Sequence, residues 1–589
     1  MKIYSLQDFL KYLEKNGELI RIKTEVDAKL EAAEISIRAL QQGLPALLFE
    51  NIKDSRFPLA MNVLASDKRI ELALGKHPDQ LGEELITFME DAMPPKPKVF
   101  FKHPGITKRL ISTLPKTTFW TTSQEVIQGT DLNGLPVITC WPEDGGPFIT
   151  LPQVFTYDPR NGKRNVGMYR MQVFDGKTTG MHWQIQKGGG FHYFQSQKSG
   201  KPFEIAVALG TDPALLLATV AALPEGIDEV MFSGFLRGRR TRMAKGKTIS
   251  IPVPADAEFI LEGTVHLTEL RMEGPFGDHF GHYSNASEFP VFHISAITHR
   301  KNPVYPATVV GRPPMEDKYL GNATQQVLGP LIRLIHPEIK NLWAYYEAGF
   351  HNLLVVSVEE RYRKEAMKTA LSIMGEGQLS LTKCVVTVSE EVNPRDFHAV
   401  LRAIHEHFDP AYDFIMIPKV PLDTLDFTSY KMNLGSKMII DATRDDTAKK
   451  QVDRKTSQNF ETLLKDIDNR IIHWNLLGEA LLVVSVKENG REVVRNLTKS
   501  TGITGPAIIA AVSTDVDICN LEQTIWGIFT RFDAERDIVF TEEKLVGISP
   551  VFRGKMGIDA TWKTGYPSPL VMPDEVVDRV NKNWDAYWK

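Results

Sequence analysis

The sequence predicts a mixed α/β (α+β) protein with an N-terminal α/β lead domain, a β-rich middle domain and a duplicated C-terminal α/β module. Three observations carry this. At 589 residues the chain is far above single-domain size, so several cores are expected. The middle of the chain runs in short, glycine-punctuated segments that alternate apolar and polar residues, which is strand behaviour. The last part contains four sequence blocks twice, in the same order.

The lead domain, residues 1–115, opens on an amphipathic helix. Ser5 is placed as its N-cap, Asp8 stands in the first turn, Leu6, Phe9, Leu10 and Leu13 share one face, and Gly17 is the stop. A second helical pattern runs from Ala32 to Leu40, and the domain closes in the proline run Pro94, Pro95, Pro97. In the middle domain, 116–320, Phe292, Ile294 and Ala296 alternate with His293 and Ser295. Ile205 to Leu209 followed by Gly-Thr-Asp-Pro and the apolar run Ala214 to Leu223 reads as strand, turn and helix, with Pro213 at the helix start.

The repeat pairs LLVVSV at Leu353 to Val358 with LLVVSV at Leu481 to Val486, and VSEEV from Val388 with VSTDV from Val512. It continues with FDPAYD from Phe408 against FDAERD from Phe532, and GSKMIIDAT from Gly435 against GKMGIDAT from Gly554. The two middle blocks keep the same separation, so two copies of one α/β unit are expected at 345–445 and 475–565, within segments 321–450 and 451–589. The chain ends in an aromatic amphipathic helix with Pro573 near its start and Val576, Val577, Val580, Trp584, Tyr587 and Trp588 along it. Such a helix is expected to dock, often on another subunit of a homo-oligomer.

Composition narrows the function. With 42% hydrophobic and 24% charged residues this is an ordinary globular enzyme composition. The balance of 69 Lys plus Arg against 73 Asp plus Glu, with no long basic run, argues against nucleic-acid binding by phosphate neutralisation. Cys140, Cys384 and Cys519 are odd in number and widely spaced, which suggests neither disulfides nor structural zinc and fits the cytoplasm. No apolar run is long enough to span a bilayer, which leaves only peripheral membrane contact open.

The common nucleotide-binding and protease signatures are absent. What stands out is WPEDGGPFITLP at Trp141 to Pro152, DPRNGKRNVGMYRMQ at Asp158 to Gln172, GMHWQIQKGGG at Gly180 to Gly190, LPEGIDE at Leu223 to Glu229, EGPFGDHFGHY at Glu273 to Tyr283 and GRPPMED at Gly311 to Asp317. Taken alone, Asn165 reads as a turn residue, Glu229 as a helix cap or surface acid, His182 as a packed histidine and Arg170 as half of a salt bridge. The segment from Glu273 is different, because two acids separated by a Gly-Pro-Phe-Gly turn suit a catalytic loop.

In this order, over essentially the whole chain, these strings resemble the UbiD decarboxylases. The resemblance implies a split-barrel-like, flavin-binding middle domain and non-oxidative loss of carbon dioxide from an aromatic carboxylic acid. The cofactor implied is prenylated FMN made by a flavin prenyltransferase, with Mn2+ or another divalent ion and K+ as a further candidate. Asn165, His182 and Glu229 correspond to the metal set. Met168, Tyr169, Arg170, His182, Trp183, Gln184, Lys187 and Gly188 correspond to the cofactor-wrapping stretches, and Arg170, Glu273 and Asp278 to the proton-transfer network. Lys383, in the Thr-Lys string before a valine-rich strand, corresponds to a lysine that reaches the flavin; Val388 aligned on Val512 sets Ala507 opposite it. His282 stands where family members often carry tyrosine.

The chemistry suits these residue types. An aryl carbanion needs an electron sink that only a cofactor supplies. Asn165 and Glu229 offer hard oxygen ligands, Arg170 can hold a carboxylate in a forked pair, and Glu273 beside a second acid in a dry cleft is expected to have a raised pKa. Long chains with such a C-terminus resemble the menaquinone-pathway members acting on dihydroxynaphthoate-type acids; the alternatives are 4-hydroxy-3-polyprenylbenzoate decarboxylation in ubiquinone synthesis or a smaller phenolic acid. A hinge is expected near 313–325, with closure over the cleft. The competing readings are a metal-dependent hydrolase using Asp278, His279 and His282, or a passive flavin-binding assembly protein.

Overall fold

The computed structural model describes residues 2–94, 97–184, 188–200, 202–224, 226–429, 431, 434–444 and 460–589. The chain divides into two compact units, Met1–Val327 with Ser568–Lys589, and Leu328–Pro567. The division falls at the end of the helix Glu316–Leu328, just beyond the expected hinge.

In the first unit the opening helix is Leu6–Lys15, capped by the Ser5 hydroxyl, which accepts from the amide of Asp8, and Leu6, Phe9, Leu10 and Leu13 are all buried. The strands Leu19–Ile22, Ala46–Phe49, Leu59–Met61 and Tyr305–Pro306 form its small sheet in that order, so a strand from the end of the middle domain completes the lead domain. The middle domain is built on an open sheet. Its strands follow the order Thr178–Gly180, Ser287–His299, Phe259–Glu273, Phe203–Leu209, Gln153–Tyr157 and Arg164–Met168, and Val126–Gly129 also pairs with Ser287–His299. No barrel closes among the described residues.

The long antiparallel pair Phe259–Glu273 and Ser287–His299 is the spine of this sheet, with register shifts at Glu262/Gly263 and between Val265 and Leu270. A Cβ at Gly263 would lie 2.0 Å from the His293 carbonyl oxygen, so the first shift requires glycine. The spine delivers Glu273 as the last residue of its strand. The chain then turns through Gly274 and Pro275 into a two-stranded hairpin, Phe276–Gly277 with Tyr283–Ser284, which carries Asp278.

The terminal helix, Asp574–Tyr587, departs from expectation. It packs on the helix Glu31–Gln41 of its own chain, where the Tyr587 hydroxyl donates to Glu31 (2.8 Å) and Arg38 donates to the Val577 carbonyl (3.2 Å). Val576, Val580 and Tyr587 are buried there. The helix therefore belongs with the lead domain rather than with segment 451–589, because its apolar face finds a partner in the same unit.

The second unit holds two five-stranded sheets of one topology. The first runs Ile339–Ala344, Leu354–Val358, Cys384–Ser389, Gly435–Ala442, Phe414–Val420; the second runs Ile471–Leu477, Leu481–Val486, Ile508–Ser513, Ser549–Ala560, Ile538–Val546. In each, the two outer pairings are antiparallel and the two inner ones parallel. One core joins the copies: Val355, Val386 and Ile440 of the first with Val483, Ala510 and Ile558 of the second. Separate cores cover the far faces, around Ala366 and Ala370 in the first copy and Val493 and Leu497 in the second. No helix among the described residues is long and apolar enough to cross a membrane.

Candidate active site

The site grows from the strand Arg164–Met168, the loop that follows it, and the hairpin after Glu273. Arg170 is the hub. Its Nε donates to Glu273 Oε1 (3.0 Å), its Nη1 to Asp278 Oδ2 (2.5 Å) and its Nη2 to the Ser284 hydroxyl (2.9 Å). The guanidinium also lies over the Phe276 ring, 4.9 Å from its centroid. Charge-assisted bonds of this kind offset the rotamer entropy lost in fixing these side chains. Arg170 thus stands between the two acids, which act as one network.

Glu273 is 1% exposed, and His182 Nδ1 lies 2.8 Å from the same Oε1 that Arg170 binds. Its other oxygen, Oε2, is buried without a hydrogen-bond partner among the described residues. A Cβ built at Gly180 would lie 3.4 Å from that oxygen. A buried carboxylate oxygen left in this state is costly unless something else binds it. Burial pushes the Asp278 carboxyl up, but the His279 imidazole (Nδ1 to Oδ1, 2.7 Å) and Arg170 outweigh it and hold the acid well below the usual carboxylate range. Burial, helped by the Arg170 charge, holds His182 below the ordinary histidine value even though Glu273 opposes it.

The loop beneath is set by residues that motif reasoning passed over individually. Asp144 Oδ2 accepts from the Cys140 and Trp141 amides (3.0 and 2.9 Å), and Oδ1 accepts from the Gly277 amide (2.8 Å). Burial lifts its pKa to about 6 against those three amides. Gly145 and Gly274 touch backbone to backbone, since a Cβ on Gly145 would lie 2.5 Å from the Gly274 Cα. Gln172 ties the two turns, donating to the Gly145 carbonyl (2.5 Å) and accepting from the Gly274 amide (2.8 Å). Only the glycines carried a signal in the sequence: Gly145, Gly146 and Gly274 lack the side chains that would keep the two turns apart.

A second cluster lies along the same strand. Glu229 begins the helix Glu229–Arg237, whose cap is Asp228, and its Oε2 accepts from the Val166 amide (2.9 Å). Burial raises the Glu229 pKa to about 7. Next to Val166, the Asn165 side chain lies against Gly188 so closely that a Cβ there would be 2.1 Å from Oδ1, and Asn165 Nδ2 is buried without a hydrogen-bond partner among the described residues. The Tyr169 hydroxyl accepts from the Gly189 amide (3.0 Å); burial raises its pKa to about 12. Trp183 packs edge-on against Tyr169 at 5.1 Å, and its Nε1 is likewise buried without a hydrogen-bond partner among the described residues.

The structure therefore brings Asn165, Tyr169, Gly188 and Glu229 together, and separately joins Arg170, His182, Glu273 and Asp278. Met168 ends its strand and Gln184 is half-buried just beyond Trp183. Lys187 lies outside the described residues. Asn165 and Glu229 are oxygen-bearing side chains, one a buried acid, of the kind a divalent ion takes, whereas the third expected ligand, His182, stands in the other cluster with Nδ1 on Glu273. The glycines Gly188 and Gly189 and the unsatisfied Asn165 and Trp183 groups fit a cradle for a phosphate-bearing cofactor.

Two expectations need correction. Lys383 is not disposed toward a cofactor: its fully buried ammonium donates to Asp426 Oδ2 and to the Phe532 carbonyl, each at 2.9 Å, inside the second unit. It reaches from the first copy to a backbone carbonyl in the FDAERD block of the second, while its charge is held by the buried Asp426 of the first copy. The hydrolase set also dissolves, since His279 serves Asp278 while His282 is buried with Nδ1 2.9 Å from the Phe280 carbonyl. Its backbone pairs with Pro569, so it fixes the hairpin.

Comparison with known proteins identifies the family. Residues 10–89, 117–313 and 318–442 with 455–560 match the N-terminal, Rift-related and C-terminal domains of the 3-octaprenyl-4-hydroxybenzoate carboxy-lyase family, UbiD. The chain belongs to the UbiD family of decarboxylases. It is 44% identical over 486 residues to an uncharacterized protein of Archaeoglobus fulgidus, covering 80% of this chain and all of that one. It is 35% identical over 580 residues to a protein of Chlamydia pneumoniae described as one of the subunits of 4-hydroxybenzoate decarboxylase, covering 97% and 96%. Among solved structures it resembles the vanillic acid decarboxylase of Sedimentibacter hydroxybenzoicus in closed form, with TM-score 0.68, 26% identity and 80% and 99% coverage. It also resembles an evolved dimeric form of the UbiD-class enzyme HmfF from Pelotomaculum thermopropionicum in complex with prFMN, with TM-score 0.63, 26% identity and 76% and 96% coverage. The chain is a UbiD-class carboxy-lyase, and the passive flavin-binding reading falls.

Proposed function

We propose that this carboxy-lyase acts on a dihydroxynaphthoate-type acid of menaquinone biosynthesis, with prenylated FMN from a flavin prenyltransferase, a divalent ion such as Mn2+, and K+ as a further candidate. The observation that carries the chemistry is the Arg170 hub between Glu273 and Asp278, with Glu273 Oε2 buried and without a hydrogen-bond partner among the described residues. When bound, the modified flavin supplies the electron sink for carbon–carbon cleavage, and the ion neutralises its phosphate. Asn165, His182 and Glu229 are the residues that would hold the ion. Met168, Tyr169, Trp183, Gln184, Lys187 and Gly188 would wrap the cofactor.

Each side chain of the hub has a part. Arg170 fixes Glu273 and offers its charge to the substrate carboxylate. His182 holds Oε1, so Oε2 is the oxygen that faces the reacting ring and delivers a proton to the carbon that carbon dioxide leaves. Asp278, kept ionised, holds Arg170 and stays out of the proton transfer. We place the enzyme in the cytoplasm as a homo-oligomer, in peripheral contact with membrane if its substrate carries a prenyl tail.

A second reading has its own support: the relative from Chlamydia pneumoniae, matched nearly end to end, bears a 4-hydroxybenzoate decarboxylase name, which favours a hydroxybenzoate or its polyprenylated form. Carbon dioxide release from protein co-expressed with a flavin prenyltransferase, assayed on dihydroxynaphthoates and hydroxybenzoates with and without a prenyl chain, separates the two. Higher kcat/KM on the naphthoates is expected; preference for the benzoates overturns the substrate assignment while leaving the chemistry intact.

A further inference from the structure

The spine of the middle domain carries a second cluster of ligating side chains, none of which belongs to the decarboxylation site. The register of Phe259–Glu273 against Ser287–His299 jumps from Val265 opposite Phe292 to Leu270 opposite Pro290. Four residues, 266–269, therefore bulge opposite Val291 alone. Thr264 pairs with His293, and the period of two puts His266 on the same face as Thr264, diagonal to His293. The two imidazoles stack, with centroids 4.3 Å apart and planes within 18°. The bulge swings Glu269 back so that Oε2 lies 3.4 Å from His266 Nδ1 and 2.6 Å from His293 Nε2.

The bulge is braced. The Leu267 carbonyl accepts from the Tyr193 hydroxyl (3.1 Å) and from Gln197 Nε2 (3.2 Å), both on the helix Gly188–Ser199. Arg271 Nε stands 3.7 Å from the other Glu269 oxygen, Oε1, which leaves Oε2 between the rings. The ligand atoms of His266, Glu269 and His293 all lie within 4.8 Å of one another. Tetrahedral zinc with bonds of about 2.0 Å requires ligand atoms about 3.3 Å apart. The His266 contact has that spacing, the His293 contact reaches it by opening less than an ångström, and the stacked rings must turn out of parallel for both in-plane nitrogen lone pairs to meet one ion.

We infer that His266, Glu269 and His293 form a second metal site, for Zn2+ or another late first-row divalent ion. Two imidazoles and one carboxylate suit such ions, whereas the oxygen-rich set of Asn165 and Glu229 suits Mn2+ or Mg2+. Three protein ligands leave the fourth position to water. The ion clips the bulge to the neighbouring strand, four residues before Glu273.

The test is calorimetric titration of zinc chloride into the flavin-loaded, manganese-saturated enzyme. One saturable site in the micromolar range is expected, weakened by about 10-fold or more in His266→Ala/His293→Ala and in Glu269→Gln. Glutamine at both histidine positions repeats the test if the alanines unfold the protein, and zinc binding should persist in Glu229→Gln. Identical titrations of parent and double variant overturn the inference. So does zinc uptake lost in Glu229→Gln but kept in the double variant, which would put the ion beside the flavin phosphate.

Discussion

Glu273 occupies a position in which geometry leaves it one free oxygen. Oε1 is engaged by Arg170 and His182, while Oε2 is buried with no hydrogen-bond partner among the described residues, so in the proposed reaction Oε2 is the oxygen left to carry the proton. Glu273→Gln keeps the shape but cannot cycle between protonation states. Turnover should fall by at least ~10²-fold with cofactor occupancy intact, and Asp278→Asn should fall less, through Arg170. Retention of more than about a tenth of parental turnover by Glu273→Gln, read with flavin content, would assign the proton to another group. Asp144 supplies a pH signature for the loop that supports Glu273. Its folded pKa of about 6 is raised above the ordinary carboxylate value, so the folded state holds the extra proton and stability is lost as pH rises from about 4 to about 6. The loss is on the order of 3 kcal/mol at most. Urea unfolding at pH 4 and pH 7 should show a steeper decline for the parent than for Asp144→Asn; parallel profiles would show that the three amides, not burial, govern this acid. At this scale the grouping of Arg170, Glu273 and Asp278 came through the family resemblance, while from the residues alone only the two acids around the Gly-Pro-Phe-Gly turn stood out. Ser284, Gln172 and Asp144 were not, because a serine, a glutamine or a loop acid acquires its role only when distant segments meet.

Elements were legible where a local pattern sufficed. The Ser5 cap, the four-residue apolar face of the first helix and the repeated strands needed no tertiary information. The long bulge in Phe259–Glu273 was hidden, since register is decided by the partner strand, and the terminal helix was assigned to the wrong neighbour because an amphipathic face does not name what covers it. Lys383 went wrong for a related reason. A lysine before a buried strand carries no mark of direction, and the core shared by the two copies turned it inward. Lys383→Met leaves Asp426 buried without its cation, and breaking such a pair costs about 3–5 kcal/mol. Denaturant unfolding should register that loss while the folded fraction keeps its flavin; a variant of parental stability that loses flavin would restore the cofactor contact.

The whole molecule is two units, one bearing the proposed decarboxylation residues and one made of two copies of a single sheet topology. Duplication was readable because four blocks recur in order, but a return of the chain after residue 567 to the first unit was not, since contacts between chain ends leave no periodic trace. That return matters, because the Gly281 carbonyl accepts from the Leu570 amide (3.0 Å) and the Ser568 carbonyl from the Tyr283 amide (3.2 Å), bracing the hairpin that holds Asp278. All of this serves one claim, that the first unit binds a modified flavin beside a divalent ion and uses it to remove a carboxylate. Native mass spectrometry of the protein purified after co-expression with a flavin prenyltransferase addresses it directly. The parent should carry prenylated FMN and a divalent ion that leaves with it, both lost in Glu229→Gln whatever the His266 cluster holds; a folded parent that carries only unmodified flavin, or no flavin, would contradict it.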